Sequence, residues 1–248
     1  MLPYIELKTL QLGPLTLQVW GIMVALGCLL GALTAARFAK RNELKSEVIF
    51  DAVSWIVGFG IIGARLGFVF FYDITTFIQK PLNIFAIWDG GMSMFGGLVG
   101  GALAGIVYFR HKQLDVWAYS EACIFGLPVG MWIGRIGCFL IHDHPGTATD
   151  FFLGIEYPDG VTRHDHGLYL SLNGLLMAIV FYLLAKKKRP VGTYISVFLI
   201  WYGTVRFYLD FYRVGELTIL GLKPGQYFAL LSIIGGVFIW KKFVHDRH

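Results

Sequence analysis

The chain has 248 residues, of which 56% are hydrophobic and 15% charged, with a mean hydropathy of +0.63. Soluble domains carry about 25% charged residues, so this chain lacks the polar surface to cover a soluble particle of its size. The formal net charge of +5 would raise nucleic-acid binding in a soluble protein. Here the cations sort between apolar runs, and no nucleic-acid partner is expected. Three cysteines form neither a disulfide framework nor a zinc spacing.

Seven stretches of about 20 apolar residues, each long enough to cross a bilayer as a helix, follow one another: 17–36, 48–71, 91–109, 116–139, 168–185, 192–211 and 224–240. The first does not read as a cleavable signal peptide, because only Lys8 precedes it and the basic cluster follows it. The runs are continuous and not alternating, which argues against strands. The expected fold class is therefore an all-α integral membrane protein with seven transmembrane helices in one polytopic domain, 1–248.

Basic residues set the expected orientation. Arg37, Lys40, Arg41 and Lys45, then Arg110 and Lys112, then Lys186, Lys187, Lys188 and Arg189, then Lys241, Lys242 and Arg247 fall on one side, thirteen in all. Lys8, Lys80, Arg163, Arg213 and Lys223 fall on the other. The positive-inside rule then places the N-terminus outside and the C-terminus in the cytoplasm. The two longest outer connections, 72–90 and 140–167, read as ordered loops. Small-residue runs such as 96–101 permit close helix packing.

Three cations remain, Arg65, Arg135 and Arg206, each four to six residues before the outer end of its span. At about 1.5 Å per residue they lie roughly 6–9 Å below that end. A buried charge is costly there. Three at one level beside glycines suit a shared site more than separate snorkelling. Guanidinium is no acid–base group at neutral pH; it binds phosphate or carboxylate bidentately. Asp210, one turn after Arg206, is an alternative partner within the protein. The residues alone point to an anionic lipid or solute approached from outside.

The run Trp88-Asp89-Gly90-Gly91-Met92-Ser93-Met94-Phe95-Gly96-Gly97-Leu98 resembles prolipoprotein diacylglyceryl transferases. Other segments follow in that family's order: Gly63-Ala64-Arg65-Leu66-Gly67, Gly134-Arg135-Ile136-Gly137, Arg163-His164, Leu168-Tyr169, Tyr202-Gly203-Thr204-Val205-Arg206, Phe211-Tyr212-Arg213 and Pro224-Gly225-Gln226. The resemblance implies a bacterial inner-membrane enzyme that moves diacylglycerol from phosphatidylglycerol to the lipobox cysteine of a prolipoprotein signal peptide. Arg135 and Arg206 match the family's essential arginines. Gly90, Gly91, Ser93, Gly96 and Gly97 match its glycine-rich signature, and Gly146 matches a loop glycine. Arg65 and Tyr169 join the expected substrate-binding set. Membrane lipids are the other expected partners. Four positions depart from the pattern: Phe95 stands for the motif histidine, Cys138 for an asparagine, Trp20 for a tyrosine and Leu170 for a glutamate.

Two outer triplets, His142-Asp143-His144 and His164-Asp165-His166, bear on the missing histidine. Three readings stand side by side: interfacial hydrogen bonding, a replacement general base, or a divalent-ion site. His142 and His144 follow Arg135 most closely and are the expected catalytic pair with Arg135 and Arg206. No cofactor and no metal enter the expected site. Cys138 reads as a packing residue or as a thiol activated by Arg135. A divergent paralogue with another acceptor, or a lipid-binding or transport protein without turnover, are the rival functions.

Overall fold

The computed structural model describes residues 1–86, 91–215, 218 and 220–245. In chain order the elements are strands β1 (Leu2–Pro3), β2 (Thr9–Leu12) and β3 (Leu15–Gln18), then helices α1 (Val19–Arg41), α2 (Glu47–Tyr72) and α3 (Ile74–Gln79). A 3-10 turn, Pro81–Phe85, precedes α4 (Met94–His111) and α5 (Val116–Ile141). Strands β4 (Pro145–Ala148), β5 (Ile155–Glu156) and β6 (Thr162–Asp165) lead into α6 (His166–Leu184) and α7 (Thr193–Leu209). After the 3-10 turn Asp210–Tyr212 comes α8 (Pro224–Ile239), which continues as a π-helical turn over Trp240–His245.

The protein is mostly helical, and each of the seven apolar stretches contains a helix. Five helices are long and apolar enough to cross a membrane: Val19–Arg41, Glu47–Phe70, Val116–Ile141, His166–Leu184 and Pro224–Val244. The two remaining stretches hold α4, with 18 residues, and α7, with 17. Local chemistry sets several helix starts. The Ser93 hydroxyl accepts from Gly96 N–H at the head of α4, and Asp165 accepts from Leu168 N–H at the head of α6. Pro224 opens α8 at a position that needs no N–H donor.

The strand-free expectation needs correction. Strands β4, β5 and β6 lie in the connection expected only to be an ordered loop and join β1 from the N-terminus in a four-stranded sheet of order β1-β5-β6-β4. Strand β2 pairs with β3 as a separate hairpin. These strands have two to four residues, too few to show a period-two pattern. β1 also pairs in parallel with β5, Leu2 opposite Ile155, across most of the chain.

The chain divides into two compact units, Ala39–Ser120 and Met1–Phe38 with Glu121–His248. In the first, α2 and α4 meet along glycines. A Cβ on Gly67 would stand 2.8 Å from Gly96 Cα, and one on Gly100 would stand 3.0 Å from Gly63 Cα. In the second, Phe38, Phe125, Phe181 and Tyr194 form an aromatic cluster with ring centroids 4.1–5.9 Å apart. Beside it the buried Glu121 carboxylate accepts from the N–H groups of Gly192 (3.0 Å), Tyr194 (2.8 Å) and Ile195 (3.3 Å). An α5 carboxylate thus caps the start of α7, where unpaired N–H groups and the helix dipole favour negative charge.

Candidate active site

Four helix ends of the larger unit carry its polar chemistry: the end of α5, the start of α6, the end of α7 and the start of α8. Arg135 sits six residues before the end of α5. Its Nη1 donates to Cys138 Sγ at 3.7 Å. Among the described residues no carboxylate pairs with it. Cys138 itself is buried.

Past the end of α5, the two expected catalytic histidines part ways. His142 has a φ of 47°, a left-handed backbone that costs a non-glycine residue stability unless contacts hold it. Those contacts are present. Nδ1 lies 2.7 Å from Asp165 Oδ2, Nε2 lies 3.2 Å from the Ile5 carbonyl, and the Tyr4 ring stacks on the imidazole at 4.2 Å. Both side chains of the His142–Asp165 pair are 1% exposed. Tyr157 donates its hydroxyl to the same Asp165 oxygen at 3.1 Å. Burial, and then the Asp165 charge, push the Tyr157 phenol far above its ordinary range, so it remains a donor. His144, two residues on, is 38% exposed and has Nδ1 2.6 Å from Asp143 Oδ1. Its Nε2 has no partner among the described residues.

The second triplet divides likewise. His164 Nδ1 meets the Tyr169 hydroxyl at 2.8 Å, with the Tyr212 ring 4.6 Å away. Burial pulls the His164 pKa below its ordinary value, favouring the neutral imidazole. His166, 2% exposed, has Nε2 2.9 Å from the Leu209 carbonyl, which ties the start of α6 to the end of α7. Its Nδ1 is buried without a hydrogen-bond partner. Thus the four histidines meet four different partners, and among the described residues no group of three or more His, Cys, Asp or Glu is placed to hold a metal ion. Gly146 lets β4 approach closely: a Cβ there would stand 2.9 Å from both His164 Cβ and the Tyr212 carbonyl.

At the end of α7, Arg206 Nη2 pairs with Asp210 Oδ1 at 3.0 Å; the two residues are 7% and 0% exposed. Arg213 Nη1 lies 3.8 Å from the same oxygen. Lys223 donates to the Asp210 and Arg213 carbonyls, an anchoring role with no signal in its sequence surroundings. The Pro224-Gly225-Gln226 opening of α8 now has a reason. A Cβ on Gly225 would collide with the Asp210 carboxylate, and Gln226 joins Lys223 N–H to the Phe207 carbonyl. Arg206 Nε remains buried without a partner among the described residues.

In the smaller unit, Arg65 donates Nε to Ile84 O (3.0 Å), Nη1 to Gly91 O (3.1 Å) and Nη2 to Asn83 O (2.5 Å), with the Phe77 ring 5.1 Å below. Gly91 has a φ of 70°, and a Cβ there would stand 2.7 Å from the Phe68 ring. Ser93 N–H donates to Ala64 O at 2.8 Å. Gly96 packs on Gly63 and Gly67, and Gly97 approaches Ala64. The expected site residue Gly90 lies outside the described residues, as do Trp88 and Asp89. Asp165 and Tyr157 were missed as site-building residues. Asp165 carried a readable sign, an aspartate shortly before an apolar helical run. Tyr157 carried none.

Five helices long and apolar enough to cross a bilayer, with Arg206 buried beside Asp210 at the end of α7, define the class as a multi-pass membrane protein. A family model described as prolipoprotein diacylglyceryl transferase matches residues 8–241. Curated proteins named phosphatidylglycerol–prolipoprotein diacylglyceryl transferase are similar across nearly their whole length. The one from Geobacter sulfurreducens is 33% identical, covering 91% of this chain and 88% of its own. The one from Pseudomonas fluorescens is 34% identical, covering 97% and 94%; the one from Staphylococcus saprophyticus is 32% identical, covering 96% and 89%. The chain belongs to the prolipoprotein diacylglyceryl transferase family.

Proposed function

We propose that this chain is a bacterial cytoplasmic-membrane transferase that moves diacylglycerol from phosphatidylglycerol to the cysteine thiol of a prolipoprotein lipobox. In this reading it crosses the membrane seven times as one polytopic domain, with the N-terminus outside and the C-terminus in the cytoplasm. The observation that carries the reading is that Arg135 and Arg206 each retain N–H donors without a protein acceptor among the described residues. Such donors fit the phosphate of an anionic lipid. A groove of about 600 Å³, lined by Val197, Ile200, Trp201, Thr204 and Val237, runs along the helix that carries Arg206 and suits an acyl chain.

In the reaction a thiolate attacks the glyceryl carbon bonded to the phosphate oxygen. A carbon–sulfur bond forms, the carbon–oxygen bond breaks, and glycerol phosphate leaves with the bonding pair. Arg135 and Arg206 stabilise the charge gathering on the departing phosphate. His144 is the better-placed base: it is partly exposed, lies beside the Asp143 carboxylate and is open at Nε2, whereas His142 is enclosed with both ring nitrogens engaged. Positioning of two membrane-bound substrates supplies much of the rate. Arg65, Gly91, Gly96 and Gly97 act in this scheme by shaping the approach of the loop and α4 to α2.

The test is transfer of radiolabelled lipid from phosphatidylglycerol to a lipobox peptide by the purified protein. Label appearing on the peptide through a thioether supports the reading. Folded protein that leaves the peptide unlabelled overturns it. A second reading, a family member with another acceptor, is favoured by Phe95 at the position of the motif histidine. Lipid mass spectrometry of cells with and without the gene separates the two.

A further inference from the structure

The hairpin before α1 is an amphipathic plate. Leu12-Gly13-Pro14-Leu15 closes it, and Gly13, with a φ of 62°, takes the first central position of a two-residue turn, where a positive φ is required. The register sets Leu10 opposite Leu17 and Leu12 opposite Leu15, while Thr9 faces Gln18 and Gln11 faces Thr16. Directly opposed residues share a face, and successive residues alternate. Four leucines therefore make one face and four polar residues the other. All eight are exposed, Leu12 and Leu15 by 62% and 63%. A two-stranded ribbon is marginal in water unless its apolar face is covered, and among the described residues no third strand joins this one.

The covering surface follows from where the plate is attached. β3 ends at Gln18 and the 23-residue apolar helix α1 starts at Val19, with no linker between them. Val19 N–H donates to the Lys8 carbonyl at 3.0 Å, which fixes the base of the hairpin to the helix start. Trp20, one residue in and 44% exposed, is of the type that collects at membrane–water interfaces. The nearest ion pair, Lys8–Glu6 at 2.9 Å, sits at the base of the hairpin and not among the leucines.

We propose that the leucine face of this hairpin inserts into the lipid leaflet at the start of α1 and anchors the N-terminal arm to the membrane surface. The occupant is lipid because the helix end holds the plate at the interface, and an uncharged leucine face is matched by hydrocarbon. The arm leads onward to the site. Leu7 N–H donates to the Leu140 carbonyl at 2.8 Å, and the Ile5 carbonyl meets His142 Nε2, so the anchor is tied to the helix end that carries Arg135. The inference rests on α1 crossing the membrane and not on the transfer reaction.

The test places the photoreactive residue p-benzoylphenylalanine at Leu12 or Leu15, and at Gln11 or Thr16 on the other face. The full chain is held in nanodiscs of phosphatidylcholine with phosphatidylglycerol, and adducts are read by mass spectrometry. Lipid adducts at Leu12 and Leu15 at least fivefold above those at Gln11 and Thr16 are expected. Equal labelling of both faces overturns the proposal. So do adducts joining two copies of the chain, or joining it to an added lipobox peptide, in place of lipid. Leu12→Glu with Leu15→Glu adds an independent reading: hydrogen exchange at the hairpin amides should rise severalfold in nanodiscs while exchange in α5 is unchanged. Unchanged hairpin exchange counts against the anchor.

Discussion

Arg65 and Arg135 have the same kind of sequence around them, an arginine among glycines near the C-terminal end of an apolar helix, and they end in different chemistry. Arg65 holds three backbone carbonyls of the segment beyond its own helix and lies over an aromatic ring. Arg135 touches a cysteine sulfur and retains most of its donors. Burying a guanidinium among carbonyls makes a clamp; leaving one without an acceptor keeps its donors available. The motif alone does not separate the two, because glycines beside an arginine permit close backbone approach in either case.

The largest expected effect breaks that comparison directly. Arg135→Gln should lower diacylglyceryl transfer by about 10²–10³-fold, the scale for removing one preorganised donor to developing charge, with little change in thermal unfolding. Arg65→Gln should do the reverse. It removes three part-buried hydrogen bonds to backbone carbonyls, at about 0.5–1.5 kcal/mol each, and lowers the unfolding temperature. Equal stability loss in both variants would mean that Arg135 is a clamp as well.

The two histidines past α5 allow a finer version. His144→Ala should reduce transfer by about 10²-fold and leave stability nearly unchanged. Asp165→Asn removes the charge that His142, Tyr157 and the Leu168 amide share, and should destabilise by about 3 kcal/mol, the scale for breaking a buried pair. Denaturant titration beside the transfer assay distinguishes the two. Should His144→Ala transfer at the parent rate, the base lies elsewhere.

The smallest effect concerns acid. The folded structure favours neutral His164, because burial lowers its pKa below the unfolded value near 6.5. The unfolded chain therefore takes up the proton first as pH falls. This contribution to stability is present above pH 6.5 and is lost as pH drops through the folded value. Cleavage by trypsin after Arg163 should accelerate modestly from pH 7.5 to pH 5.5, after correction for the enzyme's own pH dependence. His164→Gln should remove most of that change. The nearby Asp159, held down to about 2 by its hydrogen bond with Arg163, remains ionised across the window and does not contribute.

Much of this was legible beforehand because hydropathy and motif spacing are local. The seven helical stretches agree with the helices within a few residues, and the glycine-rich segments mark the α2–α4 contact. The alternative pairing of Arg206 with Asp210 is one helical turn long and readable on a wheel. The hairpin was missed although Gly13-Pro14 sits between alternating leucines, a signal in eight residues too short to stand out beside a 23-residue apolar run. The His142 contacts had no local sign at all, since its partners Ile5 and Asp165 lie 137 and 23 positions away.

The sequence by itself determined that this is a membrane protein of the diacylglyceryl transferase family, because apolar run length and motif residues need no partner to be recognised. The tertiary structure alone decided which arginine is a clamp and which keeps its donors. It also decided which histidine is enclosed, and that a glutamate in α5 caps α7. Whether a buried charge binds its own chain or a ligand depends on the acceptors that distant segments bring to it, and folding is what places them there.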